Sequence, residues 1–280
     1  RDGGPYVSAG IAVTHDPARG PNFAFHRLMR LDRRRFAARL VEGRGTHLAW
    51  SSTDADLPVA ICIGAPLAAQ LAGALSPAAG VQELHVAHAL APTPLARCLG
   101  VDLLVPAETE IVLEGRITHE MVDEGPFIDL TGTFDAVRRQ PVVEIDRITH
   151  RADPIYQALL PGGPEHKLLM GMPREPTIFE AVSQVCDCRD VLITQGGASW
   201  LHAVVQIRKA SPEDGRLAAE AAFYGHTSLK HVVVVDDDVD IHDPAAVEWA
   251  IATRLQADRD VMIWSEQPSS SLDPSAHQTP

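Results

Sequence analysis

The chain has 280 residues, 45% of them apolar, which is enough for about two domains of 100–150 residues with packed cores. Its formal net charge is −13, and this argues against a nucleic-acid-binding protein, which would need a basic face. Four scattered Cys residues and the lack of a long apolar run predict a cytoplasmic protein without disulfides or a membrane span.

The first half of the chain is predicted to form mostly strands. β-Branched residues with partial period-two alternation predict strands at residues 6–14, 57–63, 110–117 and 141–148. Two helices are predicted, at 66–75 and 82–90. Because no long helices separate the strands, the pattern favours an antiparallel sheet or barrel.

The second half alternates between the two types of element. Strands are predicted at 190–194, 202–209, 231–236 and 261–264, and helices at 176–185, 213–224 and 244–255. Asp243 followed by Pro244 is a typical helix start, with Asp as N-cap and Pro in the first turn. The alternation predicts a small, separate α/β domain, so the fold class is α+β.

These patterns divide the chain into four parts. We predict a first domain at 1–152, a Pro/Gly-rich linker at 153–176, an α/β domain at 177–268 and a tail at 269–280. Glycine-rich nucleotide motifs and a GxSxG motif are missing from the sequence, which argues against a dinucleotide fold, a P-loop protein and an α/β-hydrolase.

One set of polar residues could carry chemistry. Glu124 and Asp129 flank a Gly-Pro turn, and an Asn-x4-Arg segment, Asn22 to Arg27, lies far upstream. An amide oxygen, an imidazole and a carboxylate, as in Asn22, His47 and Glu83, would suit Mn²⁺ or Mg²⁺. Any one of these features is common by chance.

Their order along the chain, however, resembles the UbiD family, whose decarboxylases use prenylated flavin mononucleotide (FMN). The similar stretches run through nearly the whole sequence, at 2–10, 22–27, 46–47, 83–90, 101–115, 148–156, 229–240 and 249–254. One departure is His88, which stands where the family usually has Gly. The resemblance also implies an N-terminal α/β domain ahead of Arg1 and a helical C-terminal tail beyond Pro280.

The resemblance implies a flavin-reductase-like split β-barrel at 1–152, which binds prenylated FMN, and an oligomerisation domain at 177–268. It implies Asn22, His47 and Glu83 as ligands of Mn²⁺ or Mg²⁺, with K⁺ as a further candidate ion. The implied cofactor-binding residues are Asn22, Phe23, Ala24, Phe25, His26, Arg27, Thr46, His47, Glu83 and Lys230.

The same resemblance implies the catalytic residues. Arg27 would hold the substrate carboxylate, Glu124 would position Arg27, and Asp129 would return a proton as general acid. The expected activity is non-oxidative, reversible decarboxylation of an aromatic or α,β-unsaturated acid, releasing CO₂. The alternatives are a non-catalytic flavin-binding subunit of a larger complex and a flavin-reductase-like protein. The expected partners are a flavin prenyltransferase, as cofactor supplier, and further copies of the chain in a homodimer or larger oligomer.

Overall fold

The computed structural model describes residues 2–77 and 80–276, which form two compact units. The first unit comprises Arg1–Ile128 and Phe134–Pro161, and the second comprises Asp129–Thr133 and Gly162–Pro280. The four-part division at 152, 176 and 268 stays a prediction. Within the predicted tail, residues 277–280 lie outside the described residues.

An antiparallel sheet dominates the first unit. Its strands are β1 (Tyr6–Val7), β2 (Ile11–Asp16), β3 (Gly20–Phe25), β4 (Leu28–Arg30), β5 (Arg35–Ala38), β6 (Leu57–Ile63), β9 (Ile111–Glu124) and β12 (Arg138–His150). They lie in the order β1-β4-β5-β12-β9-β6-β2-β3, and every neighbouring pair is antiparallel. Two small pairs accompany it, β7 (Leu95–Arg97) with β8 (Leu104–Pro106) and β10 (Phe127–Ile128) with β11 (Phe134–Asp135).

The predicted antiparallel sheet is confirmed, with one difference at its start. The strand predicted at 6–14 is two strands, because β1 pairs with β4 whereas β2 pairs with β3 and β6. Gly10 lies in the break, where a Cβ atom would meet the Ile61 side chain at 2.9 Å. The chain therefore changes its position in the sheet at a residue without a side chain.

The alternation of the strands gives the sheet two apolar faces. Helices α2 (Leu67–Ala74) and α3 (Glu83–Leu90) pack on the face that carries Ile11 and Val13. Ala12, between them, points to the other face, with Ile61 and a residue of helix α1 (Gly45–Ser51). Burial of both faces explains the continuous apolar run in β6, since a strand covered on both sides needs no polar alternation.

The second unit is a small α/β sandwich, as predicted. Its elements are α4 (Pro164–Gly171), α5 (Glu175–Ser183), β13 (Asp187–Ile193), β14 (His202–Arg208), α6 (Asp214–Gly225), β15 (His231–Asp236), α7 (Pro244–Arg254) and α8 (Ala257–Asp260). β14 pairs antiparallel with β13 and parallel with β15. α5 and α6 cover one apolar face of this sheet, and α7 covers the other.

Two local predictions fare differently. The start of α7 is confirmed, because the Asp243 side chain accepts a hydrogen bond from the Ala245 N–H and Pro244 occupies the first turn. The strand predicted at 261–264 is wrong, since this apolar run has no regular structure.

The predicted linker contains α4. No helix in the described residues is long and apolar enough to cross a membrane.

Candidate active site

One edge of the antiparallel sheet collects charged side chains from four adjacent strands. Neighbouring antiparallel strands run in opposite directions, so the end of one lies beside the start of the next. Arg27 directly precedes β4, Arg39 directly follows β5, Arg138 begins β12 and Glu124 ends β9. The Arg39 N–H donates to the Arg27 carbonyl at 3.2 Å, and Arg138 lies opposite Glu124 in the register.

Arg27 is bound by two carboxylates. Its Nε and one terminal nitrogen each donate to Glu124 at 3.0 Å, and that terminal nitrogen also donates to Asp135 at 2.8 Å. The side chains of Arg27, Glu124 and Asp135 are only 10%, 0% and 9% exposed. The Arg27 guanidinium also lies 4.4 Å from the centre of the Phe127 ring. A two-pronged charged contact of this kind fixes both the position and the plane of the guanidinium.

We call Arg27, Glu124 and Asp135 the arginine–carboxylate cluster. Burial raises the pKa of Asp135, but hydrogen bonds from Arg138 and Arg27 outweigh it and hold the pKa below its ordinary value. The Tyr6 hydroxyl donates to Glu124 at 2.9 Å, and burial, followed by the Glu124 charge, raises the pKa of Tyr6. Both carboxylates therefore lie in a well-paired setting, which a fully buried acid requires.

Sequence reasoning selected Arg27 and Glu124 but missed Asp135 and Tyr6. These lie 108 positions after Arg27 and 118 before Glu124, so no local spacing connects them to the site. Tyr6 falls within the 2–10 stretch that resembles the family, which was the one available signal. The register of β10 with β11 brings Asp135 opposite Phe127.

A second network connects three neutral side chains, one on β3, one directly after β3 and one on α1. Thr46 Oγ1 lies 2.9 Å from Asn22 Nδ2 and 2.8 Å from His26 Nε2, while His26 Nδ1 lies 2.9 Å from the Arg39 carbonyl oxygen. Burial lowers the pKa of His26; the bond to the Arg39 carbonyl raises it and the Arg39 charge lowers it further. We call His26, Thr46 and Asn22 the hydrogen-bond relay.

The relay has one consistent direction. A carbonyl oxygen can only accept, so His26 Nδ1 carries the proton and neutral Nε2 accepts from the Thr46 hydroxyl. The Thr46 oxygen then accepts from the Asn22 amide nitrogen, so Asn22 Oδ1 is the amide atom that faces away from Thr46. A Cβ on Gly45 would lie 2.1 Å from Oδ1, so this oxygen occupies a space that only glycine leaves open. The relay thus fixes which atom of the Asn22 amide is left for another partner.

Glu83 approaches the same strand from α3. The backbone N–H groups of Glu83 and Phe23 bond its carboxylate and lower its pKa, but burial is the larger effect, so the pKa is raised. Asn22 and Phe23 are neighbours on β3, the outer strand of the sheet. The Glu83 carboxylate therefore lies at the backbone of the residue that follows Asn22.

His47 lies on α1, directly after Thr46, and its Nδ1 lies 3.4 Å from the Gly43 N–H. Among the described residues, no group of three or more His, Cys, Asp or Glu side chains could hold a metal. The predicted ligand set, Asn22, His47 and Glu83, is not a group of this kind, because Asn22 is an amide. A hydrogen bond connects Asn22 to Thr46, the neighbour of His47, and the Glu83 carboxylate lies at the Phe23 backbone. The donor types suit a hard divalent ion. The ligand set stays a prediction.

The other predicted cofactor-binding residues differ in accessibility. The Phe23 side chain is buried in the core, so only its backbone can face a ligand. Ala24 and Phe25 are half-buried on β3. In the second unit, the Lys230 ammonium forms an ion pair with Asp273 at 2.9 Å and also donates to Ser275.

Asp129 lies at the start of the loop that joins β10 to β11. Its carboxylate accepts from the Leu130 N–H at 2.7 Å, and its own N–H donates to the Thr133 carbonyl. Gly132, with a φ of +76°, donates its N–H to the Asp129 carbonyl and so closes the turn. The loop thereby holds its own shape, and the predicted role of Asp129 as general acid stays a prediction.

The chain belongs to the UbiD family. Its residues 1–164 match the model of the 3-octaprenyl-4-hydroxybenzoate carboxy-lyase Rift-related domain, and residues 167–280 match that of the C-terminal domain. The resemblance inferred from the sequence motifs is therefore confirmed.

Among curated relatives, the chain is 47% identical over 278 residues to anhydromevalonate phosphate decarboxylase of Methanosarcina mazei, covering 98% of this chain and 65% of the relative. The protein of the same name from Methanocaldococcus jannaschii is 46% identical over 285 residues, with 99% and 66% covered. The chain thus spans about two thirds of the length of these relatives.

Solved structures show the same fold. The UbiD-class enzyme HmfF from Pelotomaculum thermopropionicum, in complex with FMN, matches with a TM-score of 0.96 and 38% identity, covering 99% of this chain and 64% of that chain. An evolved dimeric form of HmfF, in complex with prenylated FMN, gives a TM-score of 0.91 and 37% identity, with 95% and 64% covered. The predicted flavin-reductase-like fold class is confirmed.

Proposed function

We propose that this chain is the cofactor-binding and catalytic part of a non-oxidative decarboxylase that acts on a phosphorylated α,β-unsaturated acid. The observation that carries the proposal is the buried arginine–carboxylate cluster, in a chain of the UbiD family. The substrate class follows from the relatives at 46 and 47% identity, which are named for anhydromevalonate phosphate.

The proposed cofactor is prenylated FMN with a divalent cation, Mn²⁺ or Mg²⁺. Bound there, the flavin would act as the electron sink for decarboxylation. The fit of the ion rests on the oriented Asn22 oxygen, the carboxylate of Glu83 and the imidazole of His47. If His47 binds through Nε2, its proton must lie on Nδ1, and the long contact from Gly43 would be lost.

The roles of the side chains follow from their chemistry. Arg27 is permanently charged and would clamp the substrate carboxylate, while Glu124 and Asp135 hold its guanidinium in a fixed plane. Tyr6 helps to hold the Glu124 carboxylate in place by donating its hydroxyl hydrogen. Asp129, on the loop between β10 and β11, would deliver the proton that replaces CO₂.

Three measurements test the proposal on the full-length protein produced together with a flavin prenyltransferase. Absorbance and mass identify the bound flavin, and CO₂ release is followed with a panel of unsaturated acids that includes the phosphorylated one. We expect prenylated FMN and CO₂ release. Bound flavin without CO₂ release from any acid would instead favour a non-catalytic flavin-binding subunit, and nicotinamide oxidation would favour a flavin-reductase-like protein.

A matched pair of variants tests the general acid. Asp129→Asn should keep the flavin bound and lose turnover, because an amide cannot donate the proton. Asp123→Asn removes an exposed carboxylate close by in the sequence, which pairs with Arg139, and should behave as wild type. Full turnover in Asp129→Asn would remove Asp129 from the mechanism.

A further inference from the structure

Arg138 lies beside the arginine–carboxylate cluster with a buried donor unused. One of its terminal nitrogens donates to Asp135 Oδ1 at 2.9 Å, while the other oxygen of the same carboxylate accepts from Arg27 at 2.8 Å. One carboxylate therefore lies between two guanidinium groups. The Nε of Arg138 is buried and has no hydrogen-bond partner in the described part of the chain. A buried donor without an acceptor is unfavourable unless a ligand supplies one.

The positive charge of Arg39 is balanced even less than that of Arg138. One of its terminal nitrogens donates to the neighbouring Leu40 carbonyl, and Arg39 forms no ion pair with any described residue. Burial lowers the pKa of this half-buried guanidinium, and the charges of Arg138 and Arg27 lower it further. Asp135 and Glu42 oppose that effect from a distance.

The three arginines are held close together by the sheet. Arg27 and Arg39 are joined through their backbones, and Arg138 shares Asp135 with Arg27. Like charges this close repel each other, and the repulsion is strong where water is partly excluded. Such a cluster is unusual in a chain with a net charge of −13, and an incoming anion would relieve it.

We propose that Arg39 and Arg138 bind the phosphate of the substrate, next to the carboxylate held by Arg27. This assignment rests on the proposed function. A phosphate monoester has up to two negative charges and three acceptor oxygens, which two guanidinium forks can satisfy together. The geometry requires a short acid, because both of its anionic ends must fit around one shared carboxylate, Asp135.

The cofactor also carries a phosphate, so the test must separate the two sources. Arg39→Gln and Arg138→Gln are each prepared as cofactor-loaded, full-length protein. The matched control is Arg139→Gln, which removes the exposed arginine next to Arg138, with a side chain 61% exposed. Each variant is assayed with the phosphorylated acid and with the same acid carrying a hydroxyl group in place of the phosphate, and its flavin content is measured.

We expect each of the two variants to lower kcat/KM for the phosphorylated acid by about 10- to 100-fold, the range for one charged hydrogen bond. Most of the loss should be in KM. Their kcat/KM for the hydroxyl acid should fall much less than that for the phosphorylated acid, and their flavin content and the whole behaviour of Arg139→Gln should stay unchanged. Arg39→Lys, which keeps the charge, should recover part of the loss, so a folding defect would be recognised.

Two results of the kinetic and flavin measurements would overturn the assignment. Loss of flavin in Arg39→Gln or Arg138→Gln would mean that the cluster holds the cofactor phosphate. Unchanged kcat/KM for the phosphorylated acid would mean that it holds neither. If wild type releases no CO₂, the proposed decarboxylation fails, but calorimetry with the phosphorylated acid still decides the subsite. Binding that is weakened in both variants and intact in Arg139→Gln would support it, and absence of binding to wild type would refute it.

Discussion

The arginine–carboxylate cluster and the hydrogen-bond relay fix side chains by opposite means. In the cluster, strong charged contacts hold Arg27 between Glu124 and Asp135. In the relay, neutral groups form weaker bonds whose direction is set by the one atom that can only accept, the Arg39 carbonyl. The charged arrangement determines where a group lies, whereas the neutral one determines which atom of an amide faces outward.

The two networks should therefore fail differently. Removing one member of the cluster leaves a buried charge without compensation, which costs stability. Removing one member of the relay leaves a neutral amide that can rotate, which costs ligand affinity.

The largest effect is expected for Arg27→Met. Because Glu124 is fully buried, its unpaired charge should lower the free energy of unfolding by about 3–5 kcal/mol, measured by urea denaturation. The double variant Arg27→Met/Glu124→Leu should regain most of that stability without regaining activity, since Asp135 keeps Arg138 as a partner. If Arg27→Met were as stable as the wild type, Glu124 could not be a buried charge that depends on Arg27.

The relay is tested by Thr46→Val, which keeps the side-chain volume and removes the hydroxyl. Without it, Asn22 is free to turn its nitrogen outward, and metal affinity should fall by about 10- to 100-fold, as for other outer partners of metal ligands. Metal titration of the purified protein measures this loss. Ser51→Ala, at the exposed end of the same helix, is the control. Equal affinities in the two variants would remove the relay from metal binding.

Acidification should separate the two networks. His26 has a pKa lowered from 6.5, so its contribution to stability is complete above about pH 6.5 and is lost as the pH falls towards the folded pKa. Protonation would stop Nε2 from accepting, and metal affinity should fall by up to about tenfold per pH unit below that pKa. The carboxylate of Asp135 stays charged in this range, because its pKa is lowered. If His26→Gln released the metal with the same pH profile as the wild type, the pH effect would belong to another group.

The smallest effect is expected for Tyr6→Phe. The ring keeps its contact with Phe127, at 4.7 Å between ring centres, and only the hydroxyl bond to Glu124 is lost. The free energy of unfolding should fall by about 0.5–1.5 kcal/mol, read from urea denaturation. A larger loss would mean that Glu124 depends on Tyr6 as well as on Arg27.

Sequence reasoning found the parts of this molecule that depend on local pattern. Strand alternation predicted the antiparallel sheet, and ordered motifs predicted the contact partners Arg27 and Glu124. It failed where pairing between distant segments brings residues together, as for Tyr6 and Asp135. The apolar run at 261–264 has strand composition but no partner strand among the described residues, and composition alone cannot supply one.

The position of the charged groups at alternating strand ends also limits how this chain can change in length. Inserting one residue within β5 would turn the side chains that follow it to the opposite face, and Arg39 would leave the edge. Replacing a side chain there leaves the backbone unchanged. Point substitution can therefore diversify this edge, whereas a single-residue insertion within β5 would remove Arg39 from it.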